Sequence, residues 1–376
     1  MIESPIPYLV IAAVLGGGLW RFEQRSRLKI FTWLPAVVLV YLLGIALSQS
    51  GIVTPNPELD ETYKTVKSWL LPMMLFLMTL KLDLGAFAGL GKKMLIAYAG
   101  AVLSLAIAFI SVFFLFGFGK DAAGVFGALS GSWTGGTGNM LAVAAALRVP
   151  DSLLGPALIV DSLLYTLWVV LLLLAVPFAG AFARFSRAAA PVIGKNGGDT
   201  PELAVTGSPS RTLLIALAVT TLVRALSALL PWLPQTTWLV ILATLAGLGA
   251  SFTPLRHSAK SAETGSVTLY ILIAFIGTHA HLGSVAELPR YLLAGAAVLL
   301  LHALMMLLLA RRFRLDLFSI GVASLANIGG VASAPILAAA YDRTLVPVAV
   351  VMAVTGYLIG TVAGLAIALA LRTIAA

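Results

Sequence analysis

Long apolar runs, nearly free of charge and separated by short basic clusters, constrain this chain more than any other feature. Leu163 to Val176 with its neighbours, and Ala294 to Leu309, approach the ~20 residues that a helix needs to cross a ~30 Å hydrocarbon core. Lipid is the solvent such runs require. The whole sequence agrees, with 60% hydrophobic and 10% charged residues, against roughly 25% charged in soluble globular chains. The first run, Pro7 to Leu19, follows Glu3 rather than a basic residue, and no small-residue cleavage pattern follows it. It therefore reads as a first span and not as a cleavable signal.

A net charge of +9 would suggest nucleic acid in a soluble protein, but here the basic residues sit in short clusters between apolar spans. That placement orients a chain in a bilayer and calls for no nucleic acid. The absence of cysteine excludes disulfides, thiolate metal sites and cysteine nucleophiles. Four scattered histidines argue against a zinc enzyme, and no cofactor is expected.

An internal repeat sets the expected architecture. Trp33, Leu34 … Leu43, Gly44 is echoed by Trp238, Leu239 … Leu248, Gly249, and Thr54, Pro55 by Thr253, Pro254. Lys81, Asp83, Leu84, Gly85 lies where the second half has His279, His281, Leu282, Gly283. Ser130 to Ala146 then aligns without gaps with Ser324 to Ala340, bringing Gly135, Gly136 onto Gly329, Gly330. Helices are expected near residues 7–19, 30–48, 68–84, 94–117 and 153–180, and again near 212–230, 237–252, 267–280, 291–309 and 345–371. The expectation is an all-α polytopic membrane protein of two inverted repeats. Each has five transmembrane helices and a Gly-rich re-entrant or broken-helix segment between its fourth and fifth helix. Residues 1–183 form the first repeat, with its Gly-rich segment at 122–148. A polar linker spans 184–210, and residues 211–376 form the second repeat, with its Gly-rich segment at 317–341.

Charge placement separates re-entrant segments from crossing ones. If both are re-entrant, the clusters at 21–29, 92–93, 184–211, 256–260 and 311–314 share one face. If both cross, the later clusters move to the opposite face and the split becomes nine against thirteen. The positive-inside rule favours re-entrant segments. It places the linker in the cytoplasm and both termini outside, in a multi-pass protein of the inner (plasma) membrane. Five crossings per half invert the second half, so the pseudo-two-fold axis lies in the membrane plane, as in many secondary transporters.

The run Gly131, Ser132, Trp133, Thr134, Gly135, Gly136, Thr137, Gly138, Asn139 is too glycine-rich and polar to continue as a regular helix, so two half-helices are expected to meet at an unwound tip. Its partner is Asn327, Ile328, Gly329, Gly330, Val331, Ala332, Ser333. Half-helix N-termini favour anions and C-termini favour cations. The hydroxyls of Ser130, Ser132, Thr134, Thr137, Ser324 and Ser333 and the amides of Asn139 and Asn327 would add ligands. The alternative is that these glycines only allow close helix packing. Asp161, with Ser162 beside it and Tyr165 one turn on, is the one carboxylate well inside an apolar span, so it should face a cavity, hold a cation, take up a proton or pair with a base. The alignment sets Thr355 opposite Asp161, so the halves differ in charge. Lys81 reads either as a snorkelling residue or as one that neutralises an anionic substrate, His279 and His281 are candidate pH sensors, and Arg224 and His302 read as snorkelling or helix-pairing residues.

At GSWTGGTGN and NIGGVAS, the chain resembles the transporter group that contains the glutamate:sodium symporters and the 2-hydroxycarboxylate carriers. As a whole it is similar to the YjcL-like family of bacterial membrane proteins. The wider resemblance implies an elevator-type symporter in which a domain carrying both tips moves against a homodimeric scaffold. Thr134 to Asn139 and Asn327 to Ser333 would then form the substrate and sodium sites, with a possible Na⁺ at Asp161, Thr134 and Asn139. Val331, Ala332 departs from the group's second loop, so citrate or glutamate specificity does not transfer. The expected function is Na⁺- or H⁺-coupled symport of a small organic anion, whether a carboxylate, an amino acid or a short peptide derivative. The alternative is a cation/proton antiporter that uses Asp161. A membrane enzyme or receptor would need a paired acid and base or a sensory domain, and neither is evident.

Overall fold

The computed structural model describes residues 2–26, 31, 36–54, 56–188, 208–232, 234–258, 260–279, 287–342 and 345–374. Among these the structure is helical and has no strand. In chain order the helices are α1 (Pro5–Arg25), α2 (Ala36–Gln49), α3 (Pro57–Thr79), α4 (Leu84–Ala88), α5 (Lys92–Leu115), α6 (Lys120–Gly135), α7 (Thr137–Ala146) and α8 (Leu154–Ala175). They continue with α9 (Ala179–Ser186), α10 (Pro209–Ala228), α11 (Gln235–Ser251), α12 (Ser261–Thr278), α13 (Leu288–Phe313), α14 (Leu317–Ile328), α15 (Gly330–Tyr341) and α16 (Val346–Ile374). Trp33, Leu34, His281 and Arg343, and most of the linker at 184–210, lie outside the described residues.

Among the described residues, seven helices are long and apolar enough to cross a bilayer. Of the other expected spans, the described part of α2 covers 14 residues and α11 has 17. α3 differs for another reason. It begins at Pro57 rather than near residue 68, because the Asn56 side chain accepts a hydrogen bond from the Leu59 amide at 2.9 Å and Pro57 opens the first turn. This start adds the polar stretch Glu58 to Lys67 to an apolar second half that is buried from Leu71 to Thr79.

The chain divides into two compact units. The first comprises residues 1–81, 144–163 and 205–289. Here α3 packs on α11 and α12, α12 packs on α1 and α2, and α10 packs on α3 and α11. Glycines set the crossings. A Cβ on Gly44 of α2 would stand 2.9 Å from Gly277 Cα of α12, and one on Gly16 of α1 would stand 2.6 Å from the Ile271 backbone. On α11, a Cβ at Gly247 would overlap the Thr79 hydroxyl of α3. Backbones this close maximise dispersion contacts where no hydrophobic effect drives helices together.

Polar side chains fasten one end of this unit. Tyr63 donates to Asp151 Oδ2 at 2.5 Å and Lys67 Nζ lies 2.6 Å from Asp151 Oδ1. The His279 ring stacks on Tyr63 with centroids 4.0 Å apart, and its Nε2 lies 3.2 Å from Asp60 Oδ1. His279 is therefore held at a helix end by neighbours on α3. Lys81 donates to the Ser258 carbonyl at 3.3 Å. Arg224 pairs helices: it lies over the Trp69 ring, 4.5 Å from the centroid, and donates to Ser68 of α3.

The second unit comprises residues 82–143, 164–204 and 290–376. Its most extensive packing joins α6 to α16, and α14 packs on α5, α6, α15 and α16. Fully buried His302 of α13 lies 2.7 Å from Ser104 Oγ of α5 and 2.8 Å from Ser324 Oγ of α14. Trp168 Nε1 donates to the same Ser324 hydroxyl at 2.9 Å. The imidazole thus joins three helices, and Trp168 adds α8 through Ser324. His302→Ala is expected to cost about 2–4 kcal/mol, because it leaves a cavity and strips partners from two buried hydroxyls. Thermal unfolding of the detergent-purified protein would show it as a lowered midpoint.

Candidate functional site

The two Gly-rich segments fold back on themselves. In a continuous helix, Gly131 and Val143 would be about 18 Å apart along the axis. Instead, a Cβ on Gly131 would stand 2.9 Å from Val143 Cγ2 and 3.1 Å from the Asn139 carbonyl, so α6 and α7 form a hairpin. In the second segment, a Cβ on Gly321 would stand 3.5 Å from Leu337 Cδ2, which makes α14 and α15 a hairpin as well. Turns of this sharpness need glycine. Gly136 has φ 89° and ψ 167°, a region almost confined to glycine, and Gly330 has φ 61°.

The expected unwinding from Gly131 to Asn139 is corrected to a break at Gly136 alone, with helix on both sides. The reason lies in α16. Gly356, Gly360 and Gly364 form a small-residue stripe there, and Gly131 and Gly135 of α6 pack against it. A Cβ on Gly360 would stand 2.7 Å from Gly135 Cα, and one on Gly364 would stand 2.8 Å from Gly131 Cα. Close packing therefore accounts for Gly131 and Gly135, which remain helical. Trp133, fully buried, packs edge-on against Phe109 of α5 with ring centroids 5.4 Å apart.

Both hairpin tips reach the same residue. A Cβ on Gly356 would stand 3.2 Å from Thr134 O and Gly135 Cα of the first tip, and 3.6 Å from Ala326 O of the second. The tips nevertheless differ in how their polar groups are used. At the first, Asn139 Nδ2 donates to Gly135 O at 2.7 Å and to Gly356 O at 3.4 Å, while its Oδ1 accepts from Thr361 at 2.5 Å. Thr134 donates to Ser130 O at 2.8 Å. Asn139 clasps the turn to α16, and its carbonyl oxygen keeps capacity for one more contact.

The second tip is less satisfied. Asn327 Nδ2 donates to Ala323 O at 2.8 Å, but its Oδ1 and the hydroxyl of Ser333 are buried without a hydrogen-bond partner. Such groups are rare in folded proteins and cost about 1–3 kcal/mol each. The alignment pairs Ser333 with Asn139, so the position that locks the first tip is open at the second. A Cβ on Gly329 would overlap Ser333 Oγ and stand 2.5 Å from Tyr165 Cε2, so Tyr165 of α8 closes against this tip.

Of the sequence-predicted residues, Thr134, Gly135, Gly136 and Asn139 come together at one tip and Asn327, Gly329, Gly330 and Ser333 at the other, within the second unit. Ser132 is buried in the last turn of α6 and Thr137 is half-buried at the start of α7. Asp161 and Ser162 belong to the first unit, on the stretch of α8 before the unit boundary, and are 6% and 4% exposed. Thr361 and the stripe at 356–364 pack on the first tip and were missed by the repeat comparison. A Gly-x-x-x-Gly-x-x-x-Gly run inside an apolar helix was the available signal.

These features define a multi-pass helical membrane protein with a buried polar site built on two helical hairpins. The chain belongs to the family described as "Protein of unknown function (DUF819)", which it matches over residues 9–374. No curated protein matches it.

Proposed function

We propose that the protein is a secondary active transporter, an elevator-type Na⁺- or H⁺-coupled symporter of a small organic anion. The observation that carries this reading is the pair of hairpin tips meeting at Gly356, with Asn327 Oδ1 and Ser333 Oγ left without partners at the second. Unpaired buried oxygens suit a cation or a hydrogen-bonding solute, and glycine-lined backbone allows close approach. The packing within the first unit supports an inverted repeat. α2 of one half packs on α12 of the other, and α11 packs on α3, which is the reciprocal exchange a two-fold relation requires. On this reading the hairpins are re-entrant and the first unit is the scaffold of a homodimer.

The test is thermal stabilisation of the purified protein by small organic anions, each in Na⁺ and in K⁺. A ligand at a hundred times its Kd should add about 2.7 kcal/mol of apparent stability. A hit that requires Na⁺ supports symport, and indifference to every anion counts against it.

One observation favours the antiporter as a second reading: the buried carboxylate of Asp161 inside an apolar helix, next to Ser162. Asp161→Asn is nearly isosteric. It is expected to abolish ion-coupled flux in proteoliposomes while leaving the folded protein intact. Unchanged coupled flux would remove Asp161 from either mechanism.

A further inference from the structure

Away from the hairpin tips, the end of α13 and the end of α9 converge on a concavity of about 400 Å³, lined by Arg187, Leu308, Arg311, Arg312 and Arg314, all within the second unit. Among the described residues, no carboxylate pairs with any of these four arginines. Arg311 is only partly engaged: it donates to the Phe185 carbonyl and lies over the Phe185 ring, and it keeps further N–H groups. Four like charges around one hollow repel one another unless an anion joins them.

We infer that this concavity binds the phosphate headgroup of an anionic phospholipid. The guanidinium fork matches phosphate oxygens two at a time, and basic pockets at the ends of transmembrane helices commonly hold such headgroups. The surface leading to the hollow argues for a lipid rather than a soluble phosphate. Leu300, Leu304 and Leu308 are exposed at four-residue spacing along one face of α13, and the same face continues to Arg311 and Arg312. An acyl chain lying along these leucines would bring its headgroup to the arginines. Arginines at helix C-termini also suit the helix dipole, and that applies to Arg187 at the end of α9 as it does to Arg311 and Arg312; the dipole alone gives no reason for two such ends to share one hollow.

Arg187 and Arg314 make the site testable without unfolding the protein. Their φ angles of 55° and 53° lie in the left-handed region that glycine occupies without strain. Replacing both by glycine removes two guanidiniums while easing the backbone.

The experiment uses native mass spectrometry on the delipidated full chain, titrated with phosphatidylglycerol or phosphatidylcholine, in the presence and absence of inorganic phosphate. Wild type should retain phosphatidylglycerol in preference to phosphatidylcholine, and equimolar inorganic phosphate should not displace it. Arg187→Gly with Arg314→Gly should weaken phosphatidylglycerol retention about thirtyfold, since one lipid–arginine contact contributes about fivefold. Lys92→Gln with Lys93→Gln, which removes two charges elsewhere, should leave it unchanged. Equal retention of both lipids by wild type, wild-type retention by the double glycine variant, equal loss in the lysine variant, or displacement by inorganic phosphate would each overturn the assignment.

Discussion

Ser333→Ala is expected to make the protein more stable and less able to bind its ligand. The Ser333 hydroxyl is buried without a partner, so a methyl group in its place removes a desolvation cost of about 1–3 kcal/mol. The same substitution at Ser104 should do the opposite. That hydroxyl lies 2.7 Å from His302 Nδ1, and its loss leaves a buried imidazole with one partner fewer, at about 1 kcal/mol. Thermal unfolding of both variants, with and without Na⁺ and the anion panel, separates the cases. A raised midpoint with lost ligand response at Ser333, beside a lowered midpoint at Ser104, is the expected pair. If Ser333→Ala lowers the midpoint and keeps the ligand response, the hydroxyl is a structural group and the second tip is not the binding site.

The largest loss of stability is expected from Gly135→Val. Its Cβ would overlap the Gly356 carbonyl oxygen and the Asn139 amide, and neither can withdraw without opening the clasp to Thr361. Overpacking costs about 1–3 kcal/mol, and breaking a buried hydrogen bond adds a further 1–3. The second unit should therefore lose its cooperative unfolding transition. Gly249→Ala is the contrasting case. A Cβ there meets nothing within 4 Å, and alanine is favoured over glycine in a helix by about 1 kcal/mol, so the variant should be at least as stable as wild type. Gly136→Ala should fall between them at about 1–3 kcal/mol, because its cost is backbone strain at φ 89° and not a clash. Wild-type melting of Gly135→Val would mean that α6 does not approach the glycine stripe of α16 as closely as the packing of Gly135 on Gly356 and Gly360 requires.

Seven of the ten expected spans, α1, α5, α8, α10, α12, α13 and α16, were legible because lipid-facing and buried helices are both apolar, so hydropathy alone locates them. The extension of α3 back to Pro57 was not. Its polar first turns carry no apolar signal, and the Asn-Pro start that caps them was not weighed. The two Gly-Gly breaks were legible from the internal repeat, which marks equivalent positions whatever their conformation. Their width was not legible, since a glycine looks the same in sequence whether it unwinds a helix or admits a neighbouring one. Gly131 and Gly135 admit α16, and Gly136 makes the turn.

The site divides along the same line. Local sequence brought attention to Asn139, Asn327 and Ser333, because polar side chains in apolar segments stand out. Which of them is already satisfied depends on residues more than two hundred positions away: Thr361 completes Asn139, whereas Asn327 Oδ1 and Ser333 Oγ find no partner. By itself, then, the sequence determined a helical chain that belongs in lipid, repeats within itself and breaks twice at paired glycines, because composition and periodicity are local properties. Only the tertiary structure decided that the broken segments are hairpins meeting at Gly356, that one tip is closed by hydrogen bonds and that the other is left open, because hydrogen bonds between distant segments exist only once packing has brought them together.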